Sequence, residues 1–289
     1  MTDYMPRVVT VHLMGGLGNQ LFQIAAAYAY AKDNGLELAL PSSWADRPDR
    51  PPLWNSYLDI SKWKNIINED QYNNAPWLII SESGFEFKTL PPLGNHVWFC
   101  KLLGYFQSSQ YFSKYKDEIR IALQPHPLLL AESKTNLKDV SIEDTDKWIV
   151  AHVRRGDYVN NPDYHLVCTS EYYNGAKDVI QERTGLKKVC WITDDFYWVH
   201  IHLYTYGDVI LSGDSSVDFT NLTQFRHMIL SNSSYSWWAS WLNPRDYKDR
   251  IICCPNRWFG PSGPQKYATI YEPSWLRIDT ISGNLVAQF

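Results

Sequence analysis

Long hydrophobic runs are missing from this 289-residue sequence. No stretch of about 18 apolar residues occurs, so we expect no transmembrane segment. The N-terminus also has no basic region followed by a long apolar core, so we expect no secretory leader. An excess of positive charge is missing too, because 27 Lys and Arg face 31 Asp and Glu for a net charge of −4. A slightly acidic chain repels polyanions, so we expect no nucleic-acid partner.

Paired cysteines are also missing. The sequence has five cysteines, an odd number, and none of them forms a C-x-x-C motif. This pattern disfavours both a zinc site and a disulfide framework, and it predicts reduced, buried thiols. We therefore expect a cytoplasmic protein. The cysteines are Cys100, Cys168, Cys190, Cys253 and Cys254.

The usual phosphate-binding loops are missing as well. Gly15, Gly16 and Gly18 follow an apolar segment, but Leu21 stands where a dinucleotide fingerprint needs glycine, and no Gly-Lys-Ser/Thr follows. What remains is a tight turn that lets the backbone approach a ligand, with Asn19 at the start of a helix. Aromatic residues are abundant, with 13 Trp, 19 Tyr and 11 Phe. They point either to a sugar or nucleoside ligand or simply to an aromatic core.

Strand-like and helix-like segments alternate along most of the chain, which predicts an α/β fold with mostly parallel sheets. A charged stretch at 143–147 predicts two domains, residues 1–145 and 146–289. Residues 41–100 are rich in proline and lack periodicity, which indicates loops. Predicted strands cover 7–14, 36–40, 147–153, 188–193, 208–211 and 250–253, and predicted helices cover 19–35, 109–120, 128–138, 170–183, 195–204 and 217–230.

The segment HVRRGDYV, residues 152–159, follows a predicted parallel strand, where α/β sheets bind ligands. Strand alternation sends His152 and Arg154 to one side, and an arginine fork there suits a diphosphate. Arg155 and Asp157 instead pair with each other or with neighbours and hold the turn.

Serines precede a tryptophan-rich segment in SNSSYSWW, residues 231–238. Their hydroxyl groups and nearby backbone N–H groups suit phosphate, or else they only cap a helix while the tryptophans pack. The only D-x-D motif, at 144–146, precedes its strand and lies at the wrong end of the sheet, so we expect no essential metal. Asp194, in WITDD, follows a strand and is a candidate for contact with a ribose or base.

Four segments together closely resemble the motifs of glycosyltransferase family 11, the α-1,2-fucosyltransferases. They are MGGLGNQLFQ, HVRRGDYV, WITDD and SNSSYSWWASWL, which lie in family order between residues 14 and 242. The resemblance implies a GT-B fold, in which two Rossmann-like domains face each other across a cleft. It implies an acceptor-side domain at 1–145 and a GDP-fucose-binding domain at 146–289.

The resemblance also implies the reaction: inverting, metal-independent transfer of L-fucose from GDP-β-L-fucose to the 2-hydroxyl of a terminal galactose in a glycan. Arg154 would bind the β-phosphate and stabilise the departing GDP, with His152 beside it. The phosphate cradle would be completed by Ser233, Ser234 and the backbone of Tyr235.

Further roles follow from the same resemblance. Asp218 would read the guanine edge, with Asp194 a weaker nucleotide candidate. Asn19, in the turn that contains Gly16 and Gly18, would reach toward fucose or the reacting hydroxyl. His152 and Asp157 are both candidates for the general base. Two alternatives stay open: a non-catalytic glycan-binding protein on a transferase-like fold, and a related fucosyltransferase with a different acceptor or linkage.

Overall fold

The structure is a computed structural model of the chain. The chain forms two compact units, Met1–Gln124 with Lys266–Tyr271 and Pro125–Gln265 with Glu272–Phe289. The predicted division between residues 145 and 146 falls inside the second unit. Most of the proline-rich stretch before residue 74 lies outside the described residues, which are 6–40, 57, 67–68, 74–243, 245 and 248–286.

In the first unit the described strands form one parallel sheet in the order β3-β2-β1-β5-β4. The strands are β1 Val8–Val11, β2 Glu37–Leu40, β3 Ile67–Asn68, β4 Leu78–Ser81 and β5 Phe99–Leu103. Helix α1 (Leu17–Asp33) follows β1, and helix α2 (Lys116–Ala122) follows β5. The predicted helix over 109–120 is helical in its second part only, because it begins as 3-10 turns at Ser109–Tyr111 and Ser113–Tyr115.

Helix α1 is buried on nearly all sides, as its apolar sequence predicts. Its alanines allow close packing against β1 and β2. The helix ends at Asp33 and Asn34 is its C-cap. The chain then turns through Gly35, whose φ of 64° is a left-handed conformation that glycine adopts without a steric penalty.

The second unit contains a larger described sheet in the order β12-β11-β10-β9-β6-β7-β8, parallel except for β12. Its strands are β6 Ile149–Val153, β7 Val189–Thr193, β8 Val209–Leu211, β9 His227–Ile229, β10 Ile252–Pro255, β11 Leu276–Ile278 and β12 Leu285–Val286. Its helices are α3 Pro127–Asp139, α4 Ser170–Thr184, α5 Phe196–His202, α6 Ser215–Leu222 and α7 Ser234–Leu242. The α/β class with mostly parallel sheets is confirmed. No helix among the described residues is long and apolar enough to cross a bilayer.

The order of strands in the second sheet reverses between β6 and β9. From β6 the chain builds outward through β7 and β8, and then it returns to place β9 on the other side of β6. Neighbouring loops leave such a sheet in opposite directions, which opens a crevice at the carboxyl ends of the two strands. The topology thus locates a ligand site in this unit.

Two tyrosines of α4 attach this helix to the crevice strands. Tyr172 and Tyr173 are fully buried, and buried tyrosines need a partner for the hydroxyl group. Tyr173 donates to the carbonyl of His152 at 3.2 Å, and Tyr172 donates to the carbonyl of Leu230. The helix therefore contacts the backbone at the ends of both β6 and β9.

The predicted helix over 217–230 is wrong in its second half. Helix α6 stops at Leu222, and His227–Ile229 form β9 instead. Met228 and Ile229 continue the apolar spacing of the helix, but they are buried because the strand lies between β6 and β10. Because the apolar run is short, the spacing of its apolar residues does not distinguish a helix from a strand. The helix cap is Asp214, whose carboxylate accepts from the backbone N–H groups of the second and third helical residues.

Replacing Gly175 with alanine tests the packing of α4. Alanine normally stabilises a helix interior by about 1 kcal/mol over glycine. Here a Cβ atom would lie 1.9 Å from the carbonyl oxygen of Gly283. We expect Gly175→Ala to lower the free energy of unfolding by about 2 kcal/mol, as overpacking does. Urea denaturation measures this change, with Asn174→Ala as the neighbouring control, and a stabilised Gly175→Ala variant would contradict the contact.

Candidate functional site

The two motifs predicted to hold phosphate meet at the crevice. His152 is the last but one residue of β6 and Ser231 follows β9. The His152 Nδ1 and Ser231 Oγ atoms share a hydrogen bond of 2.7 Å although the residues are 79 positions apart. The His152 side chain is only 6% exposed. Burial, helped by the nearby Arg154 charge, lowers the pKa of His152 to about 3. The imidazole is therefore neutral at neutral pH.

Arg154 lies between two carboxylates. Its Nη2 atom is 2.6 Å from Asp157 Oδ1, and its Nη1 atom is 2.8 Å from Asp194 Oδ2. The guanidinium carbon also lies 5.5 Å from the centre of the Tyr158 ring. The Arg154 side chain remains 35% exposed, so the guanidinium group is accessible at the crevice. Asp157 is the more exposed of the two carboxylates, at 57% against 28% for Asp194.

Asp194, at the end of β7, fixes the loop after β6. Besides the ion pair with Arg154, its Oδ1 atom accepts from the backbone N–H of Arg155 at 2.8 Å. A side chain at Gly156 would clash with it, because a Cβ atom there would lie 2.7 Å from Asp194 Oδ2. Asp194 thus holds the arginine loop in place, and its predicted contact with a nucleotide stays a prediction.

Arg155 has the supporting role that we predict for it. It pairs with Asp195 at 3.1 Å, and its guanidinium group stacks on Trp198, with the carbon 4.1 Å from the ring centre. The sequence left two pairings open for Arg155 and Asp157, either with each other or with neighbours. In the structure both residues pair with neighbours.

The loop after β9 is held by Asn232. Its Nδ2 atom donates to the carbonyls of Leu166 and Trp258 at 2.8 and 2.9 Å, and its Oδ1 atom accepts from Cys168 at 3.4 Å. Ser233 then caps α7 by accepting from the backbone N–H of Tyr235. The loop is therefore fixed against two other segments of the second unit.

Tyr235, the second residue of α7, lies beside His152, with ring centres 5.1 Å apart. Ser233 and Ser234 therefore stand at a helix N-terminus next to the Arg154 loop, an arrangement that suits an anion. Trp237 and Trp238 are fully buried. These two tryptophans therefore pack in the core, as we expect from the interpretation in which the tryptophans of this segment have a packing role.

Asp218, on α6, is a buried carboxylate with a spare oxygen. Its Oδ2 atom accepts from the backbone N–H of Gly213 at 2.9 Å, and its Oδ1 atom has no hydrogen-bond partner among the described residues. The side chain is only 8% exposed, and this burial raises the pKa of the carboxyl group. An oxygen in this position can accept from a ligand.

The remaining predicted residues lie in the first unit, at the carboxyl end of β1. Gly15 has a φ of 74°, and a Cβ atom there would lie 2.2 Å from the Asn19 amide nitrogen. Asn19 accepts from Gln107 at 2.7 Å. Gly16 precedes α1 and has open space where a side chain would be. The glycine that the turn requires for its conformation is thus Gly15, while the predicted roles of Gly16, Gly18 and Asn19 stay predictions.

Sequence reasoning missed the aromatic wall of the site. Tyr158 and His165 stack with ring centres 4.2 Å apart, and Tyr164 meets His165 edge-on at 4.9 Å. Tyr158 belongs to the arginine motif, and Tyr164 and His165 follow it. No family motif contains His165, so only its short distance from the arginine motif along the chain could have singled it out. Among the residues that the structure describes, no group of three or more His, Cys, Asp or Glu side chains could hold a metal ion.

Comparison with known proteins assigns the chain first to a class and then to a family. Its fold is that of GT-B transferases. A similar solved structure is that of the NodZ α-1,6-fucosyltransferase, from a crystal soaked with GDP-fucose. The match covers 83% of this chain and 93% of the NodZ chain, with a TM-score of 0.54 and 14% sequence identity. The family model for glycosyl transferase family 11 matches residues 1–279, and the chain belongs to this family.

Named relatives agree with this assignment. An α-1,2-colitosyltransferase of Escherichia coli is 27% identical over 295 residues, which cover 94% of this chain and 99% of the relative. The galactoside α-(1,2)-fucosyltransferase 2 of Hylobates lar is 26% identical over 251 residues, which cover 82% of this chain and 69% of the relative. The chain is a fucosyltransferase-like enzyme of this family.

The buried neutral state of His152 predicts an acid-sensitive stability. The unfolded chain takes up a proton near pH 6.5, whereas folded His152 does so only near pH 3, so stability is complete above pH 6.5 and falls as the pH drops through this window. The slope is about 1.4 kcal/mol per pH unit.

Urea denaturation at pH 6.5 and pH 5 measures this loss, which we expect to be about 2 kcal/mol smaller in a His152→Gln variant than in the wild type. His200→Gln, on the exposed helix α5, should lose as much as the wild type. An equal loss in wild type and His152→Gln would contradict the neutral buried state.

Proposed function

We propose that the chain is an inverting, metal-independent fucosyltransferase. It moves L-fucose from GDP-β-L-fucose to the 2-hydroxyl of a terminal galactose in a glycan and forms an α-1,2 linkage. The observation that carries the proposal is the position of Arg154 at the crevice, two residues from His152, whose ring centre lies 5.1 Å from that of Tyr235 at the N-terminus of α7. The family and the α-1,2 relatives support the linkage, and the GDP-fucose soaked into the NodZ crystal supports the donor.

Arg154 would stabilise the leaving group. In the transfer, the acceptor oxygen attacks C1 of fucose, the bond from C1 to the β-phosphate oxygen breaks, and its electron pair stays on the phosphate. The guanidinium group neutralises the charge that develops there. The diphosphate would replace Asp157, the more exposed partner of Arg154, while Asp194 keeps the loop in place.

The rest of the donor would be held by α6 and α7. Ser233, Ser234 and the backbone of Tyr235 would face the phosphates at the start of α7. The spare oxygen of Asp218 would accept from the N–H groups of the guanine edge, and burial strengthens such a bond because little water competes.

A reducing compartment suits this protein. All five cysteines are buried and none is paired, as is usual in the cytoplasm. We therefore place the reaction there.

A second donor has a specific observation in its favour. The Escherichia coli relative is named for transfer of colitose, so a colitosyl nucleotide is the second candidate. Incubation of the purified protein with either sugar nucleotide and a panel of galactosides, followed by linkage analysis, distinguishes the two. Glycan binding without binding of GDP, measured by calorimetry, would instead favour a non-catalytic glycan-binding protein.

Arg154→Ala tests the leaving-group role. Loss of the charge-assisted contact should cost about 3 kcal/mol of transition-state stabilisation, a fall in kcat/KM on the order of 100-fold. Initial rates with GDP-fucose and a galactoside acceptor measure it. Arg183→Ala, an exposed arginine on α4, is the matched control and should keep wild-type rates. Wild-type turnover in Arg154→Ala would end the role assigned to this residue.

The proposed mechanism also predicts that chelators have no effect. Arg154 supplies the positive charge that a divalent cation supplies to the diphosphate in metal-dependent transferases. We expect the same rate in excess EDTA as in added magnesium. A rate that collapses in EDTA and returns on addition of a divalent cation would refute metal independence.

A further inference from the structure

His165 is a half-buried imidazole at the crevice with both ring nitrogens available. It lies in the loop between the 3-10 turn Tyr158–Asn160 and α4. Its ring is nearly parallel to that of Tyr158, with 10° between the planes, and Tyr164 packs on its edge. Stacking fixes the plane of the ring, yet no hydrogen bond to a ring nitrogen occurs within the described part of the chain.

Burial and a nearby positive charge both favour the neutral form of the His165 imidazole. Partial burial is the main cause that lowers the pKa of the imidazole, and the Arg154 guanidinium lowers it further, whereas Asp157 opposes both. The other groups that face the ring are the phenols of Tyr158 and Tyr164. A neutral imidazole with a free nitrogen can accept a proton.

The other two candidates for the base are already engaged. His152 is bonded to Ser231, is almost fully buried and has a pKa of about 3, so it is too weak a base for a hydroxyl group. Asp157 is the ion-pair partner of Arg154 in the structure, with 2.6 Å between Asp157 Oδ1 and Arg154 Nη2.

His165 lies near Arg154, because both groups contact the ring of Tyr158. The guanidinium carbon and the imidazole lie 5.5 and 4.2 Å from the same Tyr158 ring centre, so they are separated by at most about 10 Å.

We infer that His165 is the general base of the transfer, an inference that rests on the proposed inverting mechanism. As the acceptor hydroxyl oxygen forms its bond to C1 of the donor sugar, its proton passes to a ring nitrogen of His165. The bond from C1 to the phosphate breaks, and the electron pair leaves with the nucleotide diphosphate beside Arg154. His165 then releases its proton to solvent.

Two substitutions separate base catalysis from packing. His165→Phe keeps a flat ring on Tyr158, and His165→Gln keeps a polar group, but neither side chain can take up the proton. We expect kcat to fall about 100-fold or more in both. GDP affinity by calorimetry should stay within about 2-fold of the wild type, because base catalysis does not hold the nucleotide. His200→Gln, on the exposed face of α5, serves as the control and should keep wild-type kcat.

The pH profile gives the second readout. In the wild type kcat/KM should fall as the pH drops below the ordinary imidazole value of 6.5, and this acid limb should vanish in the His165 variants. Near-normal kcat in His165→Phe, or an unchanged acid limb, would overturn the inference. The assay uses whichever sugar nucleotide the wild type turns over. A wild type that turns over only a donor other than GDP-fucose would therefore refute the proposed donor and still test the base.

Discussion

The parallel pairing of β6 with β9 is the constraint on which the rest of the site depends. It brings the arginine loop and the serine loop to the same edge of the sheet, although His152 and Ser231 are 79 residues apart. The two tyrosines of α4 then bind the backbone at the ends of both strands. Shifting β9 by one residue would turn its side chains to the other face of the sheet, so register and site are specified together.

Both arginines at the crevice are paired with carboxylates before any ligand arrives. Arg154 and Arg155 face Asp157, Asp194 and Asp195, and each guanidinium group also lies over an aromatic ring. A cation held by exposed carboxylates exchanges partners at small cost, since exposed ion pairs contribute little. The more buried partners hold the loop, while the exposed one can give way to an anion. The same cluster thus provides both a fixed frame and an exchangeable contact.

Much of this arrangement follows from the sequence, and the exceptions have physical causes. Apolar runs followed by polar motifs identified β6 and β7, and strand alternation separated Arg154 from Arg155. The strand β9 was taken for helix, because three residues are too few to show a period. His165 belongs to no motif and depends on the folding of a loop over Tyr158. Pairings that involve side chains from separate loops, such as Asp194 with Arg154, are set by tertiary contacts and leave no local pattern.

The three hydrogen bonds of Asn232 have a consequence for how sequences of this type can diverge. Its amide group binds the backbone carbonyls of Leu166 and Trp258, not their side chains. Those two positions can therefore change without loss of a bond, whereas position 232 tolerates only a short side chain that donates twice and accepts once. These hydrogen bonds therefore constrain the side chain at position 232 and not the side chains of the two residues that accept them. Among relatives, we therefore expect position 232 to vary less than positions 166 and 258, although the three residues meet in the same hydrogen bonds.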